Sequence, residues 1–154
     1  MVMATVMAMD TEKPKRTKGL TIAVDFDGTI VEHKYPAIGK EIPFAIDTLK
    51  QLSFEGNRLI LWTARDGNLL EEAVEFCKKR GLTFYAVNSN HPAGYLFGGK
   101  SDKSQKVIAD LYIDDHNLGG LPEWGTIYEM VTGYKQARKK KRPWWKRIFK
   151  RKRK

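Results

Sequence analysis

A chain of 154 residues is long enough for one domain with a real hydrophobic core, and its single cysteine, Cys77, excludes both an intramolecular disulfide and a cysteine-built zinc site. The formal charge of +10 is unevenly spread: Arg138 to Lys154 holds 12 of the 28 Lys and Arg residues and no Asp or Glu. The rest carries 16 basic against 18 acidic residues, a net of −2, which argues against a basic nucleic-acid groove built into the domain itself.

Met1 to Met9 is apolar but short, and the basic stretch Lys13 to Lys18 follows it, the reverse of a signal peptide's order. Residues 1–18 are therefore expected to be a flexible leader, with the true start open among Met1, Met3, Met7 and Met9. No apolar run is long enough to span a bilayer. A domain over 19–137 and a polybasic, Trp-containing tail over 138–154 complete the expected organisation.

Leu20-Thr21-Ile22-Ala23-Val24 is a short apolar, partly β-branched run of the kind found in a buried parallel strand, and it ends in Asp25-Phe26-Asp27-Gly28-Thr29. Pro43 can open a helix whose buried stripe is Phe44, Ile46, Leu49 and Leu52. Leu59 to Trp62 reads as a second strand, ending at Thr63-Ala64-Arg65. Asn68 is a plausible N-cap for a helix carrying Leu70, Ala73, Val74 and Cys77, with Gly81 just past its end. A third strand is expected over Leu82 to Val87, then a glycine-rich loop, Asn88 to Lys103, and a brief helical turn. Leu111-Tyr112-Ile113 is a fourth strand, ending in Asp114-Asp115, and a last helix from about Thr126 should bury Ile127, Met130, Val131 and Tyr134.

Strands alternating with helices imply an α/β fold: a three-layer, Rossmann-like parallel sheet with helices on both faces. Ligand sites in such folds lie outside the carboxyl ends of the strands. Here three of four strands end in polar, reactive residue types. If the first and fourth strands are neighbours, the carboxylates of Asp25, Asp27, Asp114 and Asp115 converge, and that cluster needs a cation or protons to relieve its repulsion. An all-oxygen set suits a hard ion such as Mg2+. One carboxylate could then attack phosphorus, and another two residues on could move the protons. Thr63 could donate to a phosphoryl oxygen, and a lysine would balance charge. Asp-x-Asp alone could be a turn, Thr63 alone an ordinary strand end, and Asp114-Asp115 alone a solvated loop start. The order and strand-end placement of all three together favour catalysis.

Asp25-Phe26-Asp27-Gly28-Thr29, then Thr63, a lysine, and Asp114-Asp115 resemble the haloacid dehalogenase superfamily of phosphohydrolases over roughly Leu20 to Tyr134. Thr21 to His33, Leu59 to Arg65 and Ala109 to Met130 look most like a compact, cap-poor group of bacterial hydrolases within it. The resemblance implies Asp25 as nucleophile and magnesium ligand, and Asp27 as general acid/base that also ligates through its backbone carbonyl. Thr63 would bind phosphate, and Asp114 and Asp115 would complete the metal site. Lys106 is the preferred motif lysine, with Lys103 the alternative. The expected function is a magnesium-dependent phosphatase acting through an aspartyl-phosphate on a phosphorylated substrate.

The gap Ile30 to Ile42 is too short for a cap domain, which implies an open site or one closed by the later loop or another subunit. Within that loop, Tyr95 and Phe97 could form a substrate wall or pack the loop down. His116 directly follows the carboxylate pair, whereas His33 and His91 read as loop surface. Arg65 and Asp66 could line the mouth or form a surface salt bridge. Cys77 reads as a small buried hydrophobe. In the tail, Trp144, Trp145, Ile148 and Phe149 would share one face of a helix opposite Lys146, Arg147, Lys150 and Arg151, a pattern suited to an anionic membrane surface. Nucleic acid is the rival partner, and a degenerate, non-enzymatic module working through this tail is the alternative function. The expected location is cytoplasmic, peripheral at the membrane if the tail binds lipid.

Overall fold

The computed structural model describes residues 19–92 and 106–140, with backbone alone at 138–140. The apolar run after Leu20 forms β1 (Thr21–Val24), and the helix after it is α1 (Ala45–Phe54). β2 (Arg58–Leu61), α2 (Gly67–Lys79), β3 (Ala86–Val87), β4 (Leu111–Ile113) and α3 (Trp124–Lys140) follow. The described residues thus form an α/β fold with a four-stranded parallel sheet and three α-helices, compatible with a Rossmann-like arrangement.

The sheet order is β3-β2-β1-β4. Val24 pairs with Leu61 on one side and Ile113 on the other, so β1 is central. Because side chains alternate along a strand, Ile22, Val24, Leu59, Leu61, Val87 and Ile113 enter one core cluster, while Ala23, Ile60 and Ala86 enter a second. The chain steps outward from β1 to β3 through α1 and α2, then returns across β1 to β4. That reversal creates a topological switch point between β1 and β4.

The same connections place the three helices. Helices on both faces are not seen among the described residues: Leu49 of α1, Ala73 of α2 and Ile127 of α3 all bury into the same cluster. Right-handed connections stepping in one direction place α1 and α2 on one face, and the return crossing belongs on the other. There, Val107 is buried with Ala23, Ile60 and Ala86, with Trp62, Ala109 and Tyr112 packed around them.

Several boundaries move. Phe44 is not part of the buried stripe; it precedes α1 in a left-handed conformation (φ 66°) and is 71% exposed, leaving Ala45, Ile46, Leu49 and Leu52 to the core. Asp66, not Asn68, is the N-cap of α2. Its carboxyl end is as expected. Gly81, at φ 78°, sends its N–H to Lys78 O while Leu82 N–H reaches Cys77 O, a Schellman closure. The third strand shortens to two residues at the sheet edge, and 106–110 holds no helical turn. α3 begins at Trp124, and Met130 and Tyr134 are exposed, whereas Trp124 is buried and donates its indole N–H to Thr29 O at 3.3 Å. Its backbone continues to Lys140, through the first residues assigned to the tail. The leader, Tyr95, Phe97, Lys103 and the tail beyond 140 lie outside the described residues. No helix among the described residues is long and apolar enough to cross a membrane.

Candidate active site

At the carboxyl end of β1 the ladder continues one residue further: Asp25 N–H donates to Ile113 O at 3.0 Å, which sets Asp25 beside Asp114 at the end of β4. Asp25 is half-buried. Burial, followed by the like charges of Asp114, Asp115 and Asp27, pushes its carboxyl up to about 7 against a lowering backbone hydrogen bond at Phe26. The two acidic stretches expected to converge are therefore brought together.

Gly28 explains how Asp115 fits. At φ 82° it occupies a backbone region that favours glycine, and a Cβ there would lie 2.2 Å from Asp115 Oδ2. The buried Thr29 hydroxyl accepts Asp115 N–H at 3.1 Å, tying the β1 and β4 turns together. Asp115 Oδ1 is shielded from solvent and has no hydrogen-bond partner among the described residues. Asp114, Asp115 and the exposed His116 each offer one donor atom, all within 4.8 Å of one another. His116 Nδ1 lies 3.8 Å from Asp114 Oδ1 and 3.7 Å from Asp115 Oδ1. This close triad includes neither Asp25 nor Asp27, which adjoin it as neighbouring like charges.

Asp27 faces a different partner. Arg65 Nε and Nη2 donate to its two oxygens at 2.6 and 2.7 Å, and Nη1 and Nη2 also reach Pro36 O and Ala37 O at 3.0 and 2.9 Å. The Arg65 side chain is 1% exposed, and its guanidinium lies over the rings of Phe26 and Tyr35. The surface salt bridge considered for Arg65 is thus a buried fork, because the 32–40 loop folds over it. That loop is held by Ile42 N–H to Ile30 O and Glu32 N–H to Lys40 O.

Thr63, two residues past β2, accepts Arg65 N–H on its hydroxyl oxygen at 3.3 Å, and its own N–H is held by Asn88 Oδ1 at 2.8 Å. Asn88 ends β3 at φ 47°, a conformation Asn tolerates better than most residues. Sequence reasoning missed Asn88, although its place directly after an apolar strand matched that of Asp25. Lys106 Nζ lies 5.2 Å from the centre of the Tyr112 ring, which packs edge-on against Trp62. Lys106 is therefore on the face covered by the return crossing, attached through Tyr112 to the sheet. His33 and His91 are exposed, as expected. An open groove of about 570 Å3 between Ile38 of the 32–40 loop and Glu72, Phe76 and Lys79 of α2 includes none of the strand-end carboxylates in its lining.

The fold and site define an α/β domain with acidic side chains gathered at the switch point of a parallel sheet. A conserved protein coded by a locus of Bacteroides thetaiotaomicron has a solved structure similar to this one: 57% sequence identity over 75% of this chain and 92% of that chain, with a TM-score of 0.69. The chain belongs to the same family as that protein. A scan against protein-family models and a search of curated proteins each find no match.

Proposed function

We propose that this protein is a magnesium-dependent phosphohydrolase of the haloacid dehalogenase type, working through an aspartyl-phosphate on Asp25. The observation that carries this reading is the β1–β4 register, which sets Asp25 beside Asp114 and Asp115 at the switch point. A carboxyl raised to about 7 by burial and like charge is a poor resting state for a nucleophile unless positive charge accompanies it. The shielded Asp115 Oδ1, without a hydrogen-bond partner among the described residues, supports a cation site, and oxygen donors suit a hard divalent ion.

Asp25, Asp114 and Asp115, with the Asp27 carbonyl, would hold Mg2+. Its charge would offset that of the carboxylates and of the phosphoryl oxygens. An Asp25 carboxylate oxygen attacks phosphorus as the bond to the leaving oxygen breaks, and Asp27 delivers a proton to that oxygen. Asp27 then takes a proton from water, whose oxygen attacks the same phosphorus, releasing inorganic phosphate and free Asp25. Thr63 suits the donor role because its hydroxyl oxygen already accepts Arg65 N–H, leaving its proton to be given to a phosphoryl oxygen. Lys106, held over the Tyr112 ring, would be the lysine that balances anionic charge.

The test is phosphate release from p-nitrophenyl phosphate and a panel of phosphorylated metabolites by the full chain. Release should require Mg2+, stop with EDTA and vanish in Asp25→Asn. Magnesium-saturated protein that turns over nothing in the panel would exclude the reading.

A further inference from the structure

Arg65 is the most completely enclosed cation among the described residues, with a side chain 1% exposed, and no step of the chemistry above uses it. Its Nε and Nη2 take both oxygens of Asp27, while Nη1 holds Pro36 O and Nη2 also holds Ala37 O. Such a planar fork fixes a carboxylate's direction as well as its charge. Each Asp27 oxygen keeps a second lone pair, so the carboxyl is aimed without being used up. The Arg65 backbone N–H also meets the Thr63 hydroxyl, so one residue orients two groups of the site and fastens the 32–40 loop.

We infer that Arg65 is a positioning residue for acid/base transfer, holding Asp27 in line with the leaving oxygen and coupling that alignment to the 32–40 loop. The inference rests on the phosphohydrolase reading. It also states more, since a buried ion pair could exist solely for folding. The two roles separate by leaving group. A p-nitrophenolate leaves without help from an acid, whereas an alkoxide from a sugar or alkyl phosphate does not.

Arg65→Lys and Arg65→Ala should therefore lower kcat on an alkyl phosphate by ~100-fold or more, within the range general acid catalysis supplies, and on p-nitrophenyl phosphate far less. KM should change little, and Lys should retain more activity than Ala because it keeps the charge but loses the fork. In an Asp27→Asn background, Arg65→Lys should add almost nothing, because the two act through one carboxyl. Circular dichroism identifies a variant that has not folded, and the Lys variant then carries the measurement. Equal losses on both esters, or full additivity with Asp27→Asn, would overturn the positioning role while leaving the phosphohydrolase intact. Absence of any Asp25-dependent turnover in the wild-type chain would instead remove the reading on which it rests.

Discussion

At the amino end of the sheet, polar groups are closed off in pairs. Asn57 is buried, accepts Leu20 N–H on Oδ1 at 3.0 Å and donates Nδ2–H to Leu52 O at 2.8 Å. Asp110 Oδ2 accepts Thr21 N–H at 2.9 Å, while Gly19 packs so closely that a Cβ would meet Gly56 O at 1.7 Å. At the carboxyl end, Asp25, Asp27, Asp114 and Asp115 crowd together, and Asp115 Oδ1 has no hydrogen-bond partner among the described residues. One end commits its polar groups to holding the fold; at the other, the Arg65 fork satisfies Asp27 while burial and like charge raise the Asp25 carboxyl to about 7. That contrast sets paired polar groups against crowded like charges within a single short sheet.

The sharpest way to break the contrast is at Asp25. Asp25→Asn should reduce phosphate release to background while leaving the folded state intact, measured by release assay and thermal melting side by side. Asn57→Ala should do the reverse, lowering unfolding free energy by about 2 kcal/mol because two buried backbone groups lose their partner, with the Mg2+ dependence of activity unchanged. Denaturant titration reads the stability loss, and a phosphate-release assay across a Mg2+ series reads the activity.

Gly28→Ala lies between these effects. Positive φ and the clash with Asp115 should together cost about 2 kcal/mol and weaken the response to Mg2+, which melting curves across a Mg2+ series would detect.

A pH series sharpens the same comparison. The Asp25 carboxyl is raised in the folded state from 3.8 to about 7, so the folded protein holds a proton that the unfolded chain has lost. Its contribution is fully present below about pH 4 and disappears as pH rises through about 7. Metal-free protein should lose melting temperature across that window, Asp25→Asn should flatten the loss, and added Mg2+ should restore stability above it. The smallest effect is expected at Cys77, which belongs to neither end. Burial pushes its thiol up to about 12, so a thiol reagent should label it only on unfolding.

The strand runs and their polar ends could be read along the chain because buried parallel strands must be apolar and must stop where the backbone meets solvent. The placement of Asp25, Thr63 and Asp114 after strands was read this way. The burial of the Arg65 ion pair was not legible because arginine on a loop is usually exposed, and nothing local says that residues 32–40 will fold over it. Phe44 was misplaced for a related reason: helical spacing marks a stripe, but a left-handed turn one residue before the helix takes Phe44 out of it.

Local patterning thus determined about where the strands lie and which elements alternate, since those follow from periodicity and steric preference within a few residues. Strand order, the single helical face among the described residues, the Arg65 fork on Asp27 and the nesting of Asp115 against Gly28 were decided by tertiary structure. Each depends on segments far apart in sequence, and only packing and hydrogen-bond satisfaction across the whole sheet select which of them meet.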